Sequence, residues 1–372
     1  MVSARFVHVT TTAQLKEAAQ RLAGADRYFL DTEFEMAGPT KKLCLVQVSR
    51  EGQEVHLIDT LALTALEPLA QVLYRPDVEW VVHAGNQDVA LLREALHLER
   101  CPRLFDTQVA WGLLGPEYPV SLAYLLYRIL GIRSAKSEQA GPWMSRPLSP
   151  EQLEYAAGDV QHLPALREWL GERLRGKDRE SLLQEVSLET ILPEPMEPLS
   201  LEEYRNAWQL DASGQAVLQY LIEWWNGLPA AERMEAPHPR TFLTLAKVIP
   251  ETGVELAKIR GIFFPWVKRH GDAFTGKLVR ASAATSPDKF TPLEPPPYNT
   301  FERILAGAWI RKAAGEVSAE LSLAPELAFP ERLIRTMVRA VEDSKDRASA
   351  AAALTGWRER VLRPSFLAHS AP

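Results

Sequence analysis

The chain has 372 residues, 46% of them hydrophobic and 24% charged, with a formal net charge of −6. Its length exceeds the ~100 to 200 residues of one domain and points to two or three, while the composition excludes a disordered or fibrous chain. No run of about 18 apolar residues occurs, and Met1 to Thr10 lacks the layout of a secretion signal, so a soluble, cytoplasmic protein without membrane contact is expected. Cys44 and Cys101 lack a CxxC or histidine neighbour, which excludes a disulfide framework and a thiolate zinc site. The negative charge is uneven. Residues 1 to 199 hold 20 Lys+Arg against 28 Asp+Glu, a net of −8, whereas Lys258 to Arg280 carries Lys258, Arg260, Lys268, Arg269, Lys277 and Arg280 against Asp272 alone.

In chain order, β-type runs occur at Arg27 to Leu30, Leu43 to Ser49 and Val55 to Thr60, and their short connections predict an antiparallel meander. From Ala65 the pattern alternates: helix at Leu66 to Tyr74, strand at Glu79 to His83, helix at Gln87 to Leu96. Helices follow at Thr107 to Leu114, Leu122 to Leu130, Pro150 to Ala157 and Asp159 to Arg175. Two proline-rich stretches, Ile191 to Pro198 and Ser286 to Tyr298, read as linkers, because proline removes donors and disfavours helix before it. The expected organisation is an α/β mixed-sheet domain over 1–192 and two small all-α domains over 199–285 and 298–365. A chain ending near Leu192 is then expected to keep its chemistry.

Three local patterns carry that chemistry. In FLDTEFE, Asp31 and Glu33 are two apart on a strand and project to one face, where both can bind one ion. In WVVHAGNQDVALL, Asp88 lies in the first turn of a helix just beyond a strand end, a position that the helix dipole favours for any acid and where ligands of open α/β sheets bind. In YAAGD, Tyr155 and Asp159 stand at i and i+4, on one face if the stretch is helical. Each pattern alone has an ordinary structural explanation. Asp106 in LFDTQ reads as a helix N-cap, Glu35 as a strand acid that is solvated or near the site, and His83 as a packed strand residue. No Walker A loop, HExxH or GxSxG is present.

In combination, order and spacing resemble the DEDD exonucleases of the tyrosine subclass, most closely the ribonuclease D family. DTEF, HAGNQD, LFDTQ, KSEQ and RPLSPEQLEYAAGDV look like segments of that family. NAWQL, LAKVIP and RHG within Asn206 to Arg280 look like the helicase-and-ribonuclease-D C-terminal (HRDC) domain, with Phe301 to Pro364 a diverged second copy. The sequence departs from the family pattern at Gly158, at Pro142 before Trp143 and at Asn86-Gln87-Asp88.

The resemblance implies a ribonuclease-H-like exonuclease fold with two HRDC-like domains and a 3′-5′ exoribonuclease acting on RNA with a free 3′ end, such as tRNA precursors. It implies two divalent ions, Mg2+ or Mn2+, with Asp31, Glu33 and Asp159 at one, Asp31 bridging, Asp88 at the other, and Tyr155 as base or positioner of the attacking water. Carboxylates without His or Cys fit such hard cations. For RNA contacts, Lys136, Arg146, Lys268 and Arg269 are phosphate candidates, and Trp143 either stacks a base or packs against the domain. A DNA exonuclease and a non-catalytic RNA-binding scaffold stay open as alternatives. No protein partner is readable.

Overall fold

The structure, a computed structural model, describes residues 5–38, 40–51, 53–75, 77–133, 141–191, 198–284, 293–295 and 299–370. Both proline-rich stretches lie almost wholly outside these residues. The chain forms two compact units, Met1–Pro193 with Thr300–Pro372, and Glu194–Asn299. Among the described residues no helix is long and apolar enough to cross a membrane.

The first unit begins with β1 (Phe6–Val9), α1 (Thr12–Leu22), β2 (Arg27–Ala37), β3 (Thr40–Ser49), β4 (Val55–Asp59), α2 (Glu67–Leu73), β5 (Glu79–Val82) and α3 (Asn86–Ala95). It continues with β6 (Arg103–Asp106), α4 (Thr107–Gly112), α5 (Leu122–Leu130), α6 (Pro150–Gln161), α7 (Leu163–Gly176) and α8 (Glu180–Ile191). The sheet order is β1-β4-β3-β2-β5-β6. β2, β3 and β4 form the antiparallel meander, while β1 runs parallel to β4, and β5 and β6 extend the sheet parallel to β2. The sheet is therefore mixed. Strands β1 and β6 and helices α1 and α8 go beyond the elements read from sequence.

Alternation along β2 sorts its side chains into two cores. Phe29 joins Val81, Phe105, Ala156, Val160 and Leu166 on one side; Leu30 joins Leu15, Trp80, Val89 and Leu92 on the other. At the lower end of the sheet Glu79 is buried with Arg167, whose guanidinium donates twice to it, at 2.9 and 3.2 Å. Helix α6 runs unbroken through Gly158, where no heavy atom lies within 4 Å of an added Cβ, so Tyr155 and Asp159 share one helix. The sequence pattern places a break there instead.

The second unit contains α9 (Ala212–Gly227), α10 (Ala230–Arg233), α11 (Phe242–Val248), α12 (Gly253–Ala257) and α13 (Phe264–Ala283). They close a core of their own, in which Leu218, Leu221, Phe242, Leu245 and Leu278 are inaccessible to solvent.

The last helices are α14 (Phe301–Leu321), α15 (Pro325–Ala328), α16 (Glu331–Ser344), α17 (Trp357–Val361) and α18 (Arg363–Ser370). The sequence pattern makes 298–365 a domain by itself; in the structure residues 300–372 belong to the same compact unit as 1–193. The physical reason is a shared core: Ile310, Val317, Leu327 and Trp357 belong to one cluster with Val109, Leu113, Leu125 and Leu183. Polar groups seal the joint. Ala324 N–H donates to the Gly112 carbonyl at 2.8 Å, Arg179 donates to the carbonyls of Leu113, Leu321 and Ser322, and Glu189 accepts from Trp357 Nε1 at 2.8 Å and Arg358 Nη1 at 2.5 Å. Ending the chain near Leu192 would uncover this core, which corrects the expectation of an autonomous 1–192 domain.

Candidate active site

Asp31 and Glu33 leave β2 on the same face as Phe29, toward α6. There Asp159 meets them: one carboxylate oxygen from each of Asp31, Glu33 and Asp159 lies within 4.8 Å of the others. Gln47, opposite Asp31 in the β2–β3 register, is fully buried and donates to Glu33 Oε1 at 3.4 Å. Just past Glu33 the register slips by one residue, so that Phe34 faces Leu43.

Asp88 approaches from the other side of the sheet. It is buried in the first turn of α3, and Thr32, which alternation places opposite Asp31 and Glu33, donates a short hydrogen bond to it. Asp88 is outside the tight triad, yet its charge acts on Asp31, Glu33 and Asp159.

The turn before α3 is strained. Ala84 adopts a left-handed conformation at φ 53°, and a Cβ on Gly85 would come 2.5 Å from Val82. Asp106 holds this turn: its carboxylate accepts from Ala84 N–H at 3.1 Å and Gly85 N–H at 3.0 Å while capping α4 through Gln108 N–H at 2.8 Å. It caps as expected and positions Asp88 as well. His83 is held by Thr107 Oγ1 at 2.9 Å and the Val120 carbonyl at 3.1 Å, and burial lowers its pKa.

The electrostatics are those of acids crowded without compensation. Burial first, and then the charges of Asp88, Asp159 and Glu33, push Asp31 well above the carboxylate range. Burial and the charges of Asp159 and Asp88 raise Glu33 to about 8; burial raises Asp159 to about 7 against the opposing hydrogen bond from Tyr155. Asp88 is raised by burial, with the Thr32 bond opposing. Tyr155, beside Asp159 and half-buried, is raised by burial and the neighbouring carboxylates.

The RNA-contact candidates fare differently. Lys136 lies outside the described residues. Trp143 is buried, its ring centroid 6.2 Å from that of Tyr155, and its backbone N–H donates to Glu35 Oε1 at 2.5 Å. Arg146 clamps the buried Asp59 with bonds of 2.6 and 2.8 Å and also donates to the Trp143 and Cys44 carbonyls. Both serve the fold around the site: Trp143 is packed inside it, and Asp59 occupies the Arg146 fork that a phosphate would need. In the second unit Lys268 and Arg269 are exposed on α13, Arg269 paired with Glu235. Sequence reading missed Thr32, Gln47 and Asp59. Gln47 had a signal, a lone amide inside the apolar run LCLVQV.

A sheet of this order, with carboxylates converging from a central strand and a helix that also bears a tyrosine, defines a DEDD-type 3′-5′ exonuclease of ribonuclease-H-like fold, a divalent-metal-dependent class. Comparison with known proteins agrees: a family model described as 3′-5′ exonuclease matches residues 6–175. Ribonuclease D of Gluconacetobacter diazotrophicus is 32% identical over 300 residues, covering 77% of this chain and 74% of that protein. Ribonuclease D of Pseudomonas paraeruginosa is 29% identical over 316 residues, covering 83% and 81%. In fold, the crystal structure of Escherichia coli RNase D is similar with a TM-score of 0.73 at 23% identity, over 98% of both chains. The chain belongs to the ribonuclease D family and is a 3′-5′ exoribonuclease.

Proposed function

We propose that this exoribonuclease trims the 3′ ends of structured RNA such as tRNA precursors in the cytoplasm, using two divalent ions, Mg2+ or Mn2+. The observation that carries the reading is the convergence of Asp31, Glu33 and Asp159 with Tyr155 one helical turn from Asp159. The residues fit such ions: the donors are all oxygen, and carboxyls raised into the neutral range are those that a cation would return to their charged form. Asp31, Glu33 and Asp159 would hold one ion, with Asp31 and Asp88 at a second. When bound, such ions acidify a water and offset charge on the scissile phosphate.

The chain's own groups do the rest. Gln47 and Thr32 hold Glu33 and Asp88 in place by hydrogen bonds, and Trp143 walls the site behind Tyr155. Tyr155, one helical turn from Asp159, brings its hydroxyl to the acids and orients the attacking water, and we assign it as a positioner. Lys268 and Arg269 are assigned as RNA contacts of the second unit, supported by their exposure in a basic stretch.

The test is incubation of the purified protein with 5′-labelled RNA and DNA oligomers, with Mg2+, with Mn2+ and with excess chelator. Stepwise shortening from a free 3′ hydroxyl, release of nucleoside 5′-monophosphates, and loss of at least a hundredfold in rate in Asp31→Asn are expected. Cleavage of circular RNA, activity in chelator, or normal turnover by Asp31→Asn would overturn the reading.

A further inference from the structure

A cation is held by the chain neighbours of two of the acids, Glu33 and Asp88. Lys41, opposite Met36 in the β2–β3 register, is exposed, and its Nζ donates to Gln87 Oε1 at 2.6 Å. The same ammonium lies 5.1 Å from the centroid of the Phe34 ring. Gln87 immediately precedes Asp88, and Phe34 immediately follows Glu33. Among the described residues no carboxylate is within ion-pair distance of Lys41, although both flanking segments carry acids. An amide oxygen and an aromatic face are weaker partners for an ammonium than an anion is. They hold the side chain in place while leaving its charge uncompensated.

The substrate makes a use for that charge. A strand entering with its terminal phosphodiester at the carboxylates must bring the next phosphodiester, on its 5′ side, to the edge of the same acidic cluster. Two divalent ions offset the four acids but leave that second phosphodiester without a cation of its own. We propose that Lys41 is a substrate-binding residue that takes the phosphodiester on the 5′ side of the scissile one, with Gln87 and Phe34 setting its position. The proposal rests on the exonuclease reading above. It assigns to Lys41 a contact made only by substrates at least two phosphodiesters long.

The experiment compares two substrates in the wild type, Lys41→Gln and Lys41→Arg, with Mg2+ or Mn2+ present. One is a short unstructured RNA oligomer; the other is a nucleoside 5′-(p-nitrophenyl phosphate), whose single phosphodiester has no 5′ neighbour. For Lys41→Gln, KM on the oligomer is expected to rise roughly tenfold, the scale of one charge-assisted hydrogen bond, with kcat nearly unchanged. Its log-log salt slope should shrink by about 0.7, the increment for one phosphate left without its cation on a single strand. The nitrophenyl ester should be hydrolysed as by the wild type, and Lys41→Arg should keep most of the oligomer affinity. Equal losses on both substrates would mean a damaged site, and an unchanged KM would mean an ordinary surface lysine; either overturns the proposal while the exonuclease reading stands. A wild type that leaves RNA intact would overturn both readings together.

Discussion

The two helical regions that follow the proline-rich stretches look alike as sequence and behave differently as structure. Helices α9 to α13 gather Leu218, Phe242, Leu245 and Leu278 into a core that none but their own unit contributes to. Helices α14 to α18 send Ile310, Val317, Leu327 and Trp357 into the core of the exonuclease fold, beside Leu113 and Leu183. A linker and a helical pattern thus do not define an autonomous domain; what defines one is whether its apolar residues find one another or something else. The first region is an appended module, whereas the second is part of the catalytic body.

The largest effect expected from this difference is on truncation. A chain lacking residues 300–372 should lose the cooperative unfolding of the catalytic unit and with it all nuclease activity, because a shared core is left open. Residues 198–295 expressed alone should melt cooperatively. Circular dichroism and heat-capacity traces of both fragments check this, and a stable, active 1–193 fragment would break the comparison.

Single cavities sharpen it. Trp357 and Phe242 are both essentially inaccessible, and truncating either to alanine should cost about 3 to 5 kcal/mol. Trp357→Ala should lower the transition of the catalytic unit and reduce the active fraction at 37 °C. Phe242→Ala should lower only the transition of the second unit and leave hydrolysis of a short oligomer unchanged.

A pH series separates the two units next. Glu33 is raised to about 8 and Asp159 to about 7, above their ordinary carboxylate values, so protons bind the folded state more tightly than the unfolded one. Their stabilising contribution is full near pH 4 and is lost as pH rises through 7 to 8. The metal-free catalytic unit should therefore melt several degrees lower at pH 8 than at pH 5.5, and Mg2+ or Mn2+ should recover most of that loss at pH 8 by mass action. Asp31→Asn should flatten the profile and remove the metal increment. Among the described residues the second unit holds no such cluster of converging acids, and its transition should move little.

The smallest effect belongs to the exposed basic stretch. Lys268→Glu/Arg269→Glu should leave both melting transitions within about 0.5 kcal/mol of the wild type. On a structured RNA it should raise KM a few-fold and reduce the salt slope by about 0.7 for each phosphate no longer neutralised, an increment that applies to single strands. An unchanged slope would show that these side chains only solvate α13.

What the sequence made legible follows from how local each cause was. Alternation put Asp31 and Glu33 on one face, and the i, i+4 spacing put Tyr155 beside Asp159, because each rests on a few consecutive residues. The meander of β2 to β4 was legible for the same reason. β1 and β6 were not: each has four residues and owes its existence to a parallel neighbour far along the chain. Arg146 looked like a phosphate ligand because its partner, Asp59, lies 87 residues away. Likewise nothing local in α15 or α17 says that Leu327 lies against Gly112 or that Trp357 bonds to Glu189 of α8.

Asp106 ties these observations together mechanically. One carboxylate receives the backbone of the turn that launches α3 and of the first turn of α4. The starting points of the two helices are thereby pinned to a common joint, with Asp88 in the first turn of the first and Val109 and Leu113 along or just beyond the second. Gly112, between those two residues, accepts from Ala324 N–H and lies against Leu327, and there the C-terminal segment leans. The seat of one active-site acid and the footing of the C-terminal segment are therefore set against the same fixed point, so the exonuclease fold carries the C-terminal helices as a buttress rather than as a passenger.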